Sequence, residues 1–461
     1  MVRFFFAGAN RWVWWGDPNI DQDEDFNFGF YSEFSRDVDA IAYDAETYLP
    51  VWSAGNDRGT TDSPPSNGHI GHVFVVNGIG FISNRDRPND ELANGGYDMI
   101  THYSVAKNTL TVAATEDVVG GYNGAGSVAM STFSSWGPVD DGRIKPDISA
   151  NGVNLTSSAV NGGLLTISGT SMAAPSVTGS VNLLREQYEN LIGDADDVLA
   201  STYKALTIHT ANEAGTSTGP DYRFGWGLMN TLTAANLIAA HGNENSLPHI
   251  KEVTLPSGDF VEFTVVAVGG EPLKVTTCWT DPEGTVPPAA LDANIPALVN
   301  DLDLRVASNG TTHFPWRLDP ANVAVAATRN SDNDRDNVEQ VLIDTPVAGQ
   351  DYVIRVEHKG TLVDDDGNEA PQKLSLIISG NVIEEAPVLQ VGELFRTGPT
   401  EFTAIFETVV GGEYDVETST DLTSGSWTTA MTGVLPTKDV SALVLPTNGE
   451  AKKFWRVIRK K

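Results

Sequence analysis

Gly169-Thr170-Ser171-Met172-Ala173-Ala174-Pro175 is the stretch on which the reading of this chain turns. After Ser171 the apolar residues Ala174, Val177, Val181, Leu184 and Tyr188 recur at helical spacing, which predicts a helix that begins near the serine and buries one stripe. A serine at a helix start has two readings. It can cap the helix by accepting from first-turn amides. It can also be a nucleophile held exposed where unpaired N–H groups favour a developing oxyanion, with small neighbours that let a substrate backbone come close. Working outward, a second helical pattern runs from about Asp197 to Thr210, while Tyr48-Leu49-Pro50-Val51-Trp52 and Leu110-Thr111-Val112-Ala113-Ala114 read as buried strands. Short apolar runs, Gly-rich turns and a few helices from Met1 to about Gly242 are the texture of an α/β domain.

The chain has 461 residues, with 61 Asp+Glu against 29 Lys+Arg and a net charge of -32. At roughly 150 residues per domain that suggests about three domains, or one large domain with smaller appendages. So acidic a surface repels phosphate backbones and anionic headgroups, so no nucleic-acid partner is expected. Cys278 is the single cysteine, which excludes an internal disulfide and a cysteine-based zinc cage. No apolar run is long enough to span a bilayer, so no transmembrane segment is expected, and Met1 to Gly16 does not read as a signal peptide.

The seven residues around Ser171 resemble the nucleophile motif of the subtilisin-like serine proteases, the subtilases of peptidase family S8. Ser53-Ala54-Gly55-Asn56-Asp57 is similar to the family's strand-end motif. The resemblance implies Ser171 as nucleophile and Asn56 as a side-chain donor to the oxyanion hole. It implies substrate-binding backbone at Gly16, in Val13-Trp14-Trp15-Gly16, and at Ser53, Ala54 and Gly55. The first of these segments departs from the family's Ser-Trp-Gly or Ser-Leu-Gly string, and core tryptophans near a strand end are the other reading of it. Ala106-Lys107-Asn108, Phe133-Ser134-Ser135-Trp136-Gly137-Pro138, Asp141-Gly142-Arg143-Ile144-Lys145-Pro146-Asp147 and Gly225-Trp226-Gly227 resemble scaffold strings. Protein or peptide substrates and a secreted or cell-surface setting follow from the same resemblance.

A subtilase triad runs Asp, His, Ser, with the first two ahead of the oxyanion asparagine. No histidine precedes Asn56, and His69, His72 and His102 follow it outside any His-Gly-Thr string. The Asp17 to Asp25 cluster lacks an Asp-Ser-Gly or Asp-Thr-Gly setting. The expectation is an N-terminally incomplete serine endopeptidase, a fragment with little activity by itself. The alternative is a non-catalytic secreted binding protein that retains a degenerate protease scaffold.

Short strands separated by turns from about Lys251 to Gly380 predict an antiparallel β-sandwich, and strands including Phe402 to Phe406 and Phe454 to Ile458 predict a small β module after the Glu384 to Pro387 linker. The expected fold class is therefore an α/β subtilisin-like catalytic domain, partial and with a parallel sheet, over residues 1–245. A β-sandwich follows over 248–383 and a small C-terminal β domain over 388–461. Some large secreted subtilases carry a β-sandwich with strings similar to Asn300-Asp301-Leu302-Asp303 and to Asp332-Asn333-Asp334-Arg335-Asp336-Asn337. Asp332, Asp334 and Asp336 converging on one point would suit Ca²⁺, and a solvated acidic loop is the other reading.

Overall fold

The computed structural model describes residues 3–6, 9–58, 73–76, 79–83, 95–243, 249–384, 391–398, 401–407, 414–420, 427–434, 440–446 and 454–459. Contacts divide the chain into two compact units, Met1–Ile383 and Glu384–Lys461.

At the centre of the first unit three parallel strands, Val51–Ser53, Leu110–Thr115 and Ile148–Asn151, pair in that order. All six residues of the middle strand are buried, as a parallel strand covered on both faces requires. Helix α1 (Glu33–Asp44) buries Ser35, Asp39 and Ala42. Helix α2 (Thr170–Leu191) begins one residue before Ser171. Its Ala173, Ala174 and Val177 share a core with Leu110, Val112, Ala114, Ile148 and Ala150, and the two alanines let the helix lie close on the strands. A separate sheet holds Arg3–Phe6, Ala9–Trp14, Val73–Val76 and Ile79–Ile82.

Helix α3 (Ala200–His209) is buried at every position. A helix covered all round lies between two layers, and α3 has partners in both parts of this unit. Lys204 Nζ donates to the carbonyls of Lys107 and Thr109, while Ser201 and Thr202 hydroxyls bond Ser375. Helix α4 (Thr231–His241) is capped by Asn230, whose side chain accepts from Thr233 N at 3.0 Å.

Beyond α4 come two antiparallel sheets. One orders Ile250–Leu255, Gln372–Ser379, Leu273–Trp279 and Val338–Ile343; the other orders Thr311–His313, Leu302–Ser308, Asp351–His358, Val261–Ala267 and Val382–Glu384. Both feed one core: Val275, Trp279, Leu374 and Leu376 from the first sheet meet Val265, Leu304, Val306, Ile354 and Val356 from the second.

The seam between these sheets and the α/β part is polar and buried. Lys107, 0% exposed, donates from Nζ to Asp281 Oδ2 at 2.5 Å, Pro282 O at 2.5 Å and Ala297 O at 2.8 Å. Asn108 exchanges hydrogen bonds with the Asp281 backbone at 2.8 and 2.9 Å. Asp39 on α1 receives the Lys107 and Asn108 amides, and Ile144 N donates to Asp336 at 2.7 Å. Because the bonded groups come from both parts, the α/β strands and the antiparallel sheets form one compact unit.

The second unit has two three-stranded sheets, one of Val391–Gly398, Glu401–Glu407 and Val440–Pro446, the other of Thr428–Val434, Tyr414–Ser419 and Phe454–Arg459. No helix among the described residues is long and apolar enough to cross a membrane.

Candidate active site

The three parallel strands end on the same edge, and two of the loops that leave it carry the residues singled out by the sequence. This carboxyl edge is where open α/β sheets place ligand sites. From Val51–Ser53 the chain turns through Ala54, Gly55 and Asn56. Ala54 N donates to Val112 O at 2.9 Å, Ser104 Oγ to Ser53 O at 2.7 Å and Ser135 N to Gly55 O at 3.0 Å. Gly55 has φ +111°, and a Cβ there would sit 2.8 Å from Ser135 Oγ; only glycine fits this turn without strain.

From Ile148–Asn151 the chain reaches Gly152, whose carbonyl accepts from Gly169 N at 2.8 Å. A Cβ on Gly152 would lie 2.5 Å from Ala114 Cβ and 2.8 Å from Gly169 O. The start of α2 is thereby tied to the sheet edge from below, and Asn56 ties it from the side. Asn56 Oδ1 accepts from Thr170 N at 2.8 Å and from Thr170 Oγ1 at 2.9 Å, and Gly55 N donates to Thr170 Oγ1 at 3.2 Å.

Among the described residues this arrangement leaves two donors without a partner. The Asn56 side chain spends only its oxygen, so Nδ2 remains available. In the first turn of α2, Met172 N and Ala173 N both bond Gly169 O, at 2.9 and 3.4 Å, and Thr170 N is taken by Asn56. Ser171 N–H makes no hydrogen bond among the described residues. Ser171 itself is exposed while Thr170 is buried. Pro175 lies inside the helix, and lacking an N–H it cannot bond the Ser171 carbonyl one turn back. The helix start thus combines an exposed hydroxyl, a free backbone amide and a free side-chain amide at its positive end.

No histidine bonds Ser171 among the described residues. His102, at φ +56°, opens a short 3-10 turn and packs on Phe34 with ring centroids 5.7 Å apart. Burial lowers its pKa, against the pull of Asp57. His69 and His72 lie outside the described residues.

The other expected site residues lie on different elements. Gly16 follows the strand Ala9–Trp14 in the four-stranded sheet, whereas Ser53, Ala54 and Gly55 belong to the edge of the three-stranded one. Gly16 packs against the ring of buried Trp14, which agrees with the reading of Trp14 as a core residue.

Asp332, Asp334 and Asp336 do not converge on one point. Asp332 pairs with Arg305 at 2.8 Å and with Lys359 at 3.6 Å. Asp336 turns inward to Ile144 N and to Asn333 Nδ2 at 2.9 Å, and exposed Asp334 lies 3.5 Å from Arg335. The basic partners and the buried amide draw the three carboxylates to different neighbours. Thr170 was not singled out as a site residue by sequence reasoning; its place beside Ser171 in the motif was the available signal. Asp281 had none, because its partner Lys107 is 174 positions away.

Comparison with known proteins finds similarity to proteases in this part of the chain. Residues 15–227 match the model of the subtilase family, from Trp15 to the Gly225-Trp226-Gly227 turn. The chain is 45% identical over 89 residues to the C5a peptidase of Streptococcus pyogenes serotype M3, covering 19% of this chain and 7% of that protein. It is 48% identical over 61 residues to the PII-type proteinase of Lactococcus lactis subsp. cremoris, covering 13% of this chain and 3% of that one. The patellamide maturation protease PatA aligns with a TM-score of 0.30 at 20% identity, over 46% of this chain and 58% of that structure. Residues 15–227 of this chain are thus similar to the subtilase family, and the two bacterial proteinases share local identity with the chain.

Proposed function

We propose that this chain carries the nucleophile and oxyanion hole of a serine endopeptidase acting on protein or peptide substrates. The observation that carries the reading is the pair of unengaged donors, Ser171 N–H and Asn56 Nδ2, on either side of Thr170 at the exposed start of α2. Ser171 Oγ attacks the peptide carbonyl, and the carbonyl oxygen gathers charge between these two donors, which need no reorganisation to receive it. The hydroxyl proton passes to an imidazole base that then protonates the leaving amine. In this reading the base and its carboxylate orienter come from a segment other than residues 1–461, since the sequence holds neither His-Gly-Thr nor Asp-Ser-Gly nor Asp-Thr-Gly. Ser53, Ala54 and Gly55 offer backbone to the substrate, and Gly16 belongs to the opposing wall once substrate is bound. The two antiparallel sheets act as a sandwich that buttresses the α/β part, and an exported or cell-surface setting belongs to the same reading.

The experiment uses the protein as its gene encodes it. An alkyl fluorophosphonate should modify the Ser171 peptide, located by mass spectrometry, and Ser171→Ala should abolish casein hydrolysis with an unchanged melting temperature. Labelling elsewhere, or hydrolysis that survives the substitution, rejects Ser171 as nucleophile. A folded protein that neither labels nor hydrolyses supports instead the non-catalytic scaffold.

A further inference from the structure

Asp98, Asp140 and Asp292 each place a carboxylate oxygen within 4.8 Å of one from the other two. They come from distant parts of the chain. Asp98 precedes the middle parallel strand, Asp140 follows the Phe133 to Pro138 string, and Asp292 lies in the long connection between the strands Leu273–Trp279 and Leu302–Ser308. Among the described residues none of the three forms an ion pair with Lys, Arg or His. By contrast, the buried aspartates Asp141, Asp147 and Asp281 each face a cation.

A second observation points into the same space. Asp98 Oδ1 and both carboxylate oxygens of Asp140 are shut off from solvent and have no hydrogen-bond partner among the described residues. The Ala293 amide lies near Asp140 but outside hydrogen-bond geometry. Burying carboxylate oxygens with neither donor nor counter-charge is among the most costly arrangements in a protein interior. The backbone is also shaped to admit them: Gly29, at φ +74°, faces the pair, and a Cβ there would overlap Asp140 Oδ1 and Asp98 Oδ1. Gly29 is itself held, donating to Ile100 O at 2.7 Å and accepting from Asp140 N at 3.0 Å.

We propose that Asp98, Asp140 and Asp292 bind a Ca²⁺ ion that clasps the 280–301 connection of the antiparallel sheets to the α/β part. Three carboxylates supply hard oxygen ligands and more than balance the charge of one ion, and the exposed side of Asp292 leaves room for water to complete a coordination shell of six to eight. The ion would add a second fastening to the seam that Lys107 and Asp281 already make. The inference does not depend on Ser171 being a nucleophile, so either can fail without the other.

The test uses the whole chain, stripped with EDTA, desalted and titrated with CaCl2, MgCl2 and TbCl3. Calcium at about a hundredfold excess over its Kd should raise the melting temperature by about 4 °C. Bound Tb³⁺ should show luminescence excited through Tyr97, the neighbour of Asp98. Asp292→Asn, at an exposed position, and Asp140→Asn should both lose the calcium response. In EDTA both variants should melt no lower than the parent, because each removes repulsion among the carboxylates; a merely structural role for these side chains would not produce that reversal. Asp332→Asn should keep the response. If Asp140→Asn fails to fold, Asp292→Asn decides alone. No shift and no luminescence in the parent, or a calcium response that survives in Asp292→Asn, overturns the site.

Discussion

Asn56 Oδ1 receives both the backbone N–H and the hydroxyl of Thr170, at 2.8 and 2.9 Å. One amide oxygen is thus satisfied by one residue, which fixes the flip of the Asn56 side chain and leaves its NH2 group without a partner among the described residues. Thr170 in turn accepts from Gly55 N at 3.2 Å, so the loop after Val51–Ser53 and the start of α2 hold each other in register. On the proposed function, Asn56→Ala should lower kcat by about 10²–10³, a magnitude taken from the subtilisin family itself, with little change in KM. Thr170→Val keeps the shape and removes the hydroxyl; it should lower kcat by about tenfold and stability by about 1–2 kcal/mol, because Gly55 N–H is left unpaired. Steady-state kinetics on a peptide substrate check both. A rise in KM at constant kcat for Asn56→Ala would place the residue in ground-state binding instead.

Gly152 sits where the last parallel strand passes under the helix start, with Ala114 Cβ and Gly169 O already inside contact distance of any added methyl. Neither neighbour is the loose end of a side chain. Gly152→Ala should therefore push Gly169 and Ser171 away from Asn56, costing about 1–3 kcal/mol in stability. Activity should fall by more than that loss explains. Urea unfolding together with kinetics measures the two; a stable variant with full activity would show that the helix start tolerates the shift.

Lys107 and Asp281 are both 0% exposed and form an ion pair at 2.5 Å across the seam. Removing one partner strands a buried charge, so Lys107→Met should destabilise the first unit by about 3–5 kcal/mol. The double variant Lys107→Met with Asp281→Asn should recover part of the loss, since both charges are then gone. Chemical denaturation of the whole chain, followed by tryptophan fluorescence, reads the difference. A single variant within about 1 kcal/mol of the parent would mean that the pair does not hold the seam.

The helix after Ser171 and half-buried strands such as Asp351–His358 were legible from local periodicity, 3.6 and 2, and Leu110–Thr115 from a short continuous apolar run. The Asn56 position was legible through a short motif that holds its own turn. The seam was not, because its partners lie far apart along the chain: Lys107 sits in a scaffold-like string, yet its ammonium is buried against Asp281, 174 positions away. The acidic string Asp332 to Asp336 misled in the opposite sense. Alternating carboxylates imply convergence only when nothing else competes for them, and here Arg305, Lys359 and the Ile144 amide do. Asp98, Asp140 and Asp292 gather in space with no sequence pattern at all.

His209, at the end of α3, joins that helix to the first antiparallel sheet: Nδ1 meets Thr276 Oγ1 at 2.9 Å and Nε2 meets Ser379 Oγ at 2.7 Å. Its ring is buried, and the groups packed around it are cationic or neutral. Lys274 on the facing strand donates from Nζ to the His209 carbonyl at 3.0 Å and His249 lies close, while the carboxylate Glu213 acts on Lys274 rather than on the ring. Burial first, then Lys274 and His249, hold the His209 pKa well below its ordinary value of 6.5. The folded state therefore keeps the ring neutral at a pH where the unfolded chain binds a proton. Stability is fully present above about pH 6.5 and is lost as pH falls from there toward the folded-state value. The slope approaches about 1.4 kcal/mol per pH unit for this one group. His209→Gln, which can still bond a hydroxyl and does not titrate, should flatten the fall in melting temperature between about pH 7 and pH 5. Thermal unfolding of parent and variant across that range tests it, and parallel curves would place the acid sensitivity in other groups.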